Sequence, residues 1–220
     1  MLQQVTSDLG CLASESVMEF GGDILFLGPD GIRPVSGTSK IGDVELETVS
    51  REVQDIFELY NRTEDLSKIR VVVLRKKSEF RLFFDNPEAL SLIGAIRQSP
   101  SAQSVFEYSQ LNGIGLTCVD SGYIGQYEYV IHGDGTGKVY RQERGYTFDG
   151  EPIFSLYQTP YFYMDDPEIR KVFYNLKTYL LSEGETDISV GINFNYGDSN
   201  VLVPNNYAVT TAGAAAIYGI

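Results

Sequence analysis

The chain has 220 residues, of which 43% are hydrophobic and 12% aromatic, and its 30 acidic and 17 basic residues give a net charge of −13. This length is enough for one large domain or two small ones with a substantial core. The acidic balance disfavours tight nucleic-acid binding, which needs lysines and arginines at the phosphates, and no apolar run approaches the ~20 residues of a membrane span.

The first segment that predicts regular structure is SVMEFGGDILFLGPDGIRPVSG, residues 16–37. It predicts strands over Ser16–Phe20, Ile24–Leu27 and Ile32–Val35. Clusters of glycine, proline and aspartate separate these runs, and such clusters are typical of tight turns. The segment therefore predicts a three-stranded meander.

A helix and two strand pairs are predicted next. Apolar residues at intervals of three and four predict a helix over Ser50–Tyr60, with Ser50 as its N-cap. Residues 69–84 predict a hairpin that turns at Lys76, Lys77 and Ser78. Residues 104–110 and 113–119 predict a second hairpin, because Asn-Gly between them is a strong turn signal.

The stretch QYEYVIHGDGTGKVYRQERGYTFDG, residues 126–150, combines the only histidine with a glycine cluster and a lysine. Aligned on a phosphate-binding loop, it has His132 in place of the first glycine and Val139 in place of the magnesium-binding hydroxyl. The runs on either side are rich in β-branched and aromatic residues. We therefore predict an antiparallel hairpin of residues 127–131 and 138–142, closed by Gly133–Gly137, and no phosphate site at Lys138.

The pattern of apolar and polar residues changes at Ile153, where longer alternating runs begin. Phe173, Leu176, Tyr179 and Leu181 are consistent with a bent strand. Clean alternation from Ile188 to Tyr196 predicts a half-buried strand. These patterns favour two regions, a propeller-like β domain over 1–152 and further strands over 153–220.

The predicted fold class is mostly β. The strand pairs recur at intervals of roughly 40 residues, near the period of propeller blades. We expect β-propeller-like meanders of short antiparallel strands with one short helix, followed by a further antiparallel β region.

Candidate catalytic residues do not form a recognisable constellation. His132 has no accompanying nucleophile motif. The adjacent acids Asp165 and Asp166, and the pair Glu183 and Glu185, are considered as a glycosidase acid and base, but acids in turns are more simply solvated. Asp134 lies in a glycine-rich turn that lacks the calcium-loop pattern. We predict no catalytic, cofactor or metal site, and no enzyme.

Two cysteines, Cys11 and Cys118, are too few and too far apart for a zinc framework. They could form a disulfide, but we favour two buried free thiols. The N-terminal MLQQVTSDLG lacks the basic and apolar regions of a signal peptide, which predicts synthesis in the cytoplasm.

Four segments carry strand-and-turn patterns in a fixed order: Leu25–Ile32, Gly133–Tyr140, Thr147–Gly150 and Thr159–Lys171. In this order they resemble the tail hub or nozzle proteins of short-tailed bacteriophages, also called packaged-DNA stabilisation proteins. The resemblance spans most of residues 10–200. The chain is short for that family, has no tryptophan, and ends in a small apolar run like the middle of a segment, so we expect a fragment of a longer chain.

The resemblance implies a β-propeller-type body that joins copies of itself in a ring, commonly of about six. In the family this ring lies below the portal and adaptor, continues the DNA channel, retains the packaged genome and permits its ejection. The implied location is the virion tail, after synthesis in the host cytoplasm. The implied partners are the portal-adaptor and other tail proteins, with genomic DNA passing without sequence-specific binding.

Two other functions stay open from the residues alone. Exposed tyrosines would suit the faces of sugars in a carbohydrate- or receptor-binding β-propeller. A glycosidase built on a propeller would need two carboxylates ~5–10 Å apart across a cleft.

Overall fold

The computed structural model describes residues 10–37, 48–63, 65–85, 89–98, 104–145, 147–164, 166, 168–169, 171–179, 186–194 and 207–211. Contacts divide the chain into two units, Met1–Ile153 and Phe154–Ile220. In the described ranges the fold is mostly β, with five antiparallel sheets and a single short α-helix, which confirms the predicted fold class. Every sheet joins strands that follow one another along the chain, so the sheets are meanders.

The strands are β1 (Met18–Phe20), β2 (Asp23–Gly28), β3 (Gly31–Pro34), β4 (Arg70–Leu74), β5 (Glu79–Phe83), β6 (Ser91–Gln98), β7 (Ser104–Leu111), β8 (Cys118–Ile124), β9 (Tyr127–Gly133), β10 (Val139–Arg141), β11 (Thr147–Phe148), β12 (Glu151–Pro152), β13 (Thr186–Val190) and β14 (Tyr207–Thr211). The helix is α1 (Gln54–Thr63). Short 3-10 turns flank several of these elements.

The predicted N-terminal meander is confirmed as the sheet β1-β2-β3. Its turns use backbone that only glycine adopts without strain, since Gly22 has φ +83° and Gly31 has φ +128°. Arg33 is buried in this sheet and its guanidinium donates to both carboxylate oxygens of Asp30. A buried charge requires a partner of opposite charge. Asp30 in the Pro-Asp-Gly turn supplies this partner for the Arg33 guanidinium on the next strand.

The helix differs from its prediction at both ends. A 3-10 turn over Arg51–Val53 precedes α1, which continues to Thr63. Ser50 makes no capping bond, because its side chain is fully buried and its Oγ accepts from the backbone N–H of Ile32 at 2.8 Å. The serine therefore ties the start of the helix to β3 instead of closing the helix end.

The four-stranded sheet β4-β5-β6-β7 forms the centre of the first unit. Its first hairpin, β4–β5, was predicted, and it turns through a 3-10 turn and a left-handed Ser78 (φ +53°). The predicted pairing of 104–110 with 113–119 is wrong. β7 pairs with β6 over eight residue pairs, and residues 118–124 pair with β9.

The reason for this error is a missed strand. β6 contains Gly94 and Ala95, both poor strand formers, so the sequence pattern did not reveal it. Gly113 does adopt a left-handed φ of +92°, as Asn-Gly predicts, but there the chain leaves one sheet for the next. A turn dipeptide fixes a local change of direction and not which strands pair.

Two hydrophobic clusters fill the first unit. The larger one joins the first sheet, α1 and the inner face of the four-stranded sheet, and its aromatic contacts include Phe20 against Phe80 at 5.2 Å and Tyr60 stacked on Phe84 at 4.4 Å. The smaller one joins β4 and β5 to Val130 of β9. This second cluster sets one face of the sheet β8-β9-β10 against the four-stranded sheet.

The second unit contains the sheet β13-β14. The strand predicted from Ile188 to Tyr196 ends at Val190 in the structure, residues 191–194 have no regular structure, and Tyr196 lies outside the described residues. The bent strand predicted through Phe173 is also wrong, since residues 171–179 form no strand; Leu181 lies outside the described residues. The partner strand β14 was not predicted, because its five residues alternate too briefly to be recognised.

Candidate functional site

The glycine-rich turn between β9 and β10 is closed by Asp134. The predicted hairpin is confirmed, with Tyr140 opposite His132. The Asp134 carboxylate accepts hydrogen bonds from the backbone N–H groups of Thr136 and Lys138, both at 2.9 Å, and from the Thr136 hydroxyl. Hydrogen bonds from Thr136 and from these amides hold the pKa of Asp134 below its ordinary value.

This turn cannot offer its amides to a phosphate without displacing Asp134. A phosphate-binding loop presents free backbone N–H groups at the start of a helix. Here two of those groups are already bound by a carboxylate, and Lys138 is followed by strand β10. The Lys138 ammonium lies 3.7 Å from a carboxylate oxygen of Asp149. The residues that suggested a phosphate site form a turn instead.

His132 is buried on β9, with 9% of its surface exposed. Its ring stacks on Tyr140, with centroids 5.2 Å apart and planes at 18°. Its Nδ1 lies 3.2 Å from Nε2 of Gln142, whose Oε1 accepts from Arg81 Nη1 at 2.8 Å. Because arginine only donates, the Gln142 oxygen must face Arg81, so its NH2 donates to His132 and the histidine proton is on Nε2.

The neutral form of His132 is the one that this arrangement stabilises. Burial lowers the pKa of His132, and the nearby carboxylate of Asp134 opposes that effect only in part. If Nδ1 of His132 were protonated, its N–H would face the NH2 group of Gln142, and both groups are donors. Rotating the Gln142 amide would not relieve this, because its NH2 group would then face the guanidinium of Arg81, which also only donates. The histidine is thus held as a structural hydrogen-bond acceptor.

Arg81 connects this histidine to a partly buried ion cluster. It is 6% exposed and donates to Glu79 at 2.6 Å and to Glu143, which also accepts from Lys77. Burial opposes ionisation of Glu143, but hydrogen bonds from Lys77 and Arg81 outweigh it and hold its pKa below the ordinary value. Arg81 on β5 thus contacts Gln142 and Glu143, which follow β10 and lie 61 and 62 positions further along the sequence.

The remaining sequence candidates do not meet in one place. Asp166 is exposed, whereas Asp165, Glu183 and Glu185 lie outside the described residues, so their suggested role as a carboxylate pair stays untested. Among the described residues, no group of three or more histidine, cysteine, aspartate or glutamate side chains could hold a metal ion.

Both cysteines are free and exposed, so the prediction that they are buried is wrong. Cys118 begins β8, an outer strand of its sheet. Cys11 precedes the first sheet, and its thiol donates to the carbonyl oxygen of Ala13 at 2.9 Å.

The most unusual surface lies in residues 154–164, which we call the aromatic segment. It has no strand or helix, and Phe154, Leu156 and Tyr157 are 94%, 90% and 90% exposed. The alternating runs after Ile153 predict further β structure here, so this exposed surface was not predicted. The available signal was the sequence FSLYQTPYFYM, in which large apolar residues do not alternate cleanly with polar ones.

A second surface feature is a groove at the edge of the four-stranded sheet. It has a volume of about 550 Å³ and is lined by Val49, Arg51, Glu52, Val105 and Phe106. Val105 belongs to β7 and is 42% exposed. In the described residues β7 pairs only with β6, so its other edge has backbone groups available for pairing.

Comparison with known proteins gives no relative: no family model, curated protein or solved structure matches the chain. Across the described ranges, no helix combines the length and the apolar character needed to cross a membrane. Inferences about function therefore depend on the residues and geometry of the chain itself.

Proposed function

We propose that this chain is a structural protein of the tail of a short-tailed bacteriophage. In this role it is part of a ring that continues the DNA channel below the portal and adaptor, retains the packaged genome and permits its ejection. It acts without catalysis, and its partners are copies of itself, the portal-adaptor and other tail proteins.

The observation that carries the proposal is the ordered set of motifs that resembles the tail hub and nozzle proteins. Three of the four motifs coincide with tight antiparallel hairpins: β2–β3, β9–β10 and β11–β12. Their glycines and aspartates are turn residues in the structure, with Gly137 at φ +87° and Gly150 at φ +95°. The motifs are thus structural units in a meander, as a β-rich ring protein requires, and this supports the proposal.

The charge of the chain also supports it. A net charge of −13 gives a wall that repels DNA phosphates. A channel must let the genome slide past without binding it, and like charge on wall and cargo prevents the counterion-driven binding that lysine and arginine produce. An acidic ring protein therefore suits a passage for DNA better than a DNA anchor.

A carbohydrate- or receptor-binding module is the second candidate. Tyr157, Tyr174 and Tyr179 are 76–90% exposed, and tyrosine rings stack well on the apolar faces of sugars. This function predicts a monomer whose thermal stability rises in the presence of a glycan. The phage-tail proposal predicts no such dependence.

Electron microscopy of the purified protein, and of particles that encode it, would test the proposal. We expect rings, and gold-labelled antibody against the chain should mark the tail below the portal. Label on the capsid shell or absence of the protein from particles would refute the proposal. A monomer that is stabilised by glycans would favour the second candidate.

A further inference from the structure

The aromatic segment exposes more apolar surface than a stable isolated chain normally does. Contiguous apolar patches of several hundred Å² on a soluble protein usually mark interaction sites. Phe154, Leu156 and Tyr157 are nearly as exposed as in an extended peptide. Among the described residues of the second unit, nothing covers these three side chains.

The exposed area of the aromatic segment is comparable to one side of a specific interface. Four of its aromatic side chains are each 62–94% exposed: Phe154, Tyr157, Phe162 and Tyr163. At about 150–250 Å² per ring, and with Leu156 also 90% exposed, the exposed surface is on the order of 700 Å². A standard protein interface buries about 800 Å² on each partner.

The first unit carries a surface that fits such a segment. The available edge of β7 can hydrogen-bond an added strand, which is how extended peptides commonly bind sheets. The groove beside this edge has apolar walls formed by Val49, Val105 and Phe106. The groove is shallow and open to solvent, so it would contact the side chains of an added strand from one side only.

The charges of the two surfaces allow a second copy of the chain to be the partner. The aromatic segment contains no acidic or basic residue, although the whole chain carries a net charge of −13. The groove likewise has one residue of each sign, Arg51 and Glu52. Copies that meet through these two surfaces avoid the like-charge repulsion that contact elsewhere on an acidic chain would produce.

We propose that the aromatic segment of one copy binds as an added strand along β7 of a second copy, with its side chains in the groove. The contact is head-to-tail, because donor and acceptor are different surfaces of one chain. Repetition of such a contact closes into a ring when the rotation permits it. This inference rests on the ring-forming part of the proposed function and names the surfaces that would form the ring.

Sedimentation velocity and native mass measurement of the 220-residue chain test it, with two variants. The donor variant changes Phe154, Leu156 and Tyr157 to serine, and the acceptor variant is Val105→Arg. Each is expected to weaken self-association at least about 100-fold, because each removes or blocks central apolar anchors. All of these side chains are exposed, so circular dichroism melts should match those of the original chain.

A matched control removes apolar area from a different surface. Ile124→Ser and Val139→Ser change two side chains that are 69% and 74% exposed on the sheet β8-β9-β10. This control should alter self-association by no more than about threefold. A control that dissociates the assembly as strongly as the donor variant would overturn the proposal.

Mixing the two variants gives the decisive result. The donor variant keeps its β7 edge and the acceptor variant keeps its aromatic segment, so a one-to-one mixture should form heterodimers and nothing larger. A monomeric unmodified chain, or variants that fail to combine, would overturn the inference. If the unmodified chain forms rings that the donor variant leaves intact, this inference fails while the proposed ring function stands.

Discussion

Replacing Gly94 with alanine should destabilise the four-stranded sheet, because Phe80 occupies the space above this glycine. The two residues are directly opposite each other on β5 and β6. A Cβ at position 94 would lie 2.3 Å from Cζ and 2.5 Å from Cε1 of Phe80. Carbon atoms make favourable contact at about 3.5–4.0 Å, so the ring would have to move by roughly 1 Å.

The ring has little room for that movement. Phe80 is completely buried, and it packs edge-on against Phe20 at 5.2 Å and against Tyr108 at 6.3 Å. Overpacking of this kind costs about 1–3 kcal/mol, and rigid neighbours on two sides favour the upper half of that range. A loss of about 2 kcal/mol would lower the melting temperature of a unit of this size by about 4–8 °C.

Urea unfolding followed by circular dichroism would measure the cost, with Gly122→Ala as the matched control. Gly122 is also inside a strand, but a Cβ there meets nothing within 4 Å. We expect the control to be neutral or to stabilise by up to about 1 kcal/mol through the unfolded chain.

A second change tests the proposed cause. Phe80→Leu shortens the side chain above position 94, so combining it with Gly94→Ala should cost at least about 1 kcal/mol less than the two single changes added together. Equal effects of Gly94→Ala and Gly122→Ala, or strict additivity in the double variant, would refute the reasoning.

Three further predictions follow from the described contacts. Gly137→Ala should cost about 1 kcal/mol in urea unfolding because Gly137 has φ +87°, whereas Gly135→Ala should be nearly neutral because its φ is outside the left-handed region. Ser50→Ala should cost about 1–3 kcal/mol and speed hydrogen exchange at the Ile32 amide, which would lose its acceptor; unchanged exchange would contradict this. Burial lowers the pKa of His132, the only histidine, so the unfolded chain takes up the extra proton below about pH 6.5. Thermal stability should therefore fall between pH 7.5 and 5.5, and His132→Gln should flatten that slope.

Residues that favour tight turns allowed several hairpins to be predicted from the sequence. The hairpins β2–β3, β4–β5 and β9–β10 were predicted because glycine and aspartate in the first and third, and the polar Lys-Lys-Ser turn in the second, mark short-range reversals between β-rich runs. The recurrence of such turns between β-rich runs also predicted the mostly-β fold class. The absence of a P-loop pattern at Lys138 was also visible, since a motif of fixed residue types can be tested directly against the sequence.

Pairing between distant segments was decided only by the tertiary structure. Strand β7 joins β6 through a ladder of eight residue pairs and not the run after Asn-Gly, although Gly113 keeps the left-handed φ that this dipeptide predicts. Ser50 was expected to cap a helix, yet burial turned its hydroxyl toward β3. Both outcomes depend on which surfaces meet, and the sequence pattern of a single segment does not contain its partner.

The candidate surfaces show the same division. The sequence determined that residues 154–164 are apolar and aromatic and that the chain carries a net charge of −13. Only the structure showed that this segment is exposed, that one edge of β7 has no partner strand among the described residues, and that His132, Gln142 and Arg81 form one buried chain of hydrogen bonds. Composition and turn residues act over a few positions of the chain, whereas exposure, open edges and buried polar networks depend on contacts between residues far apart in sequence, which exist only once the chain has folded.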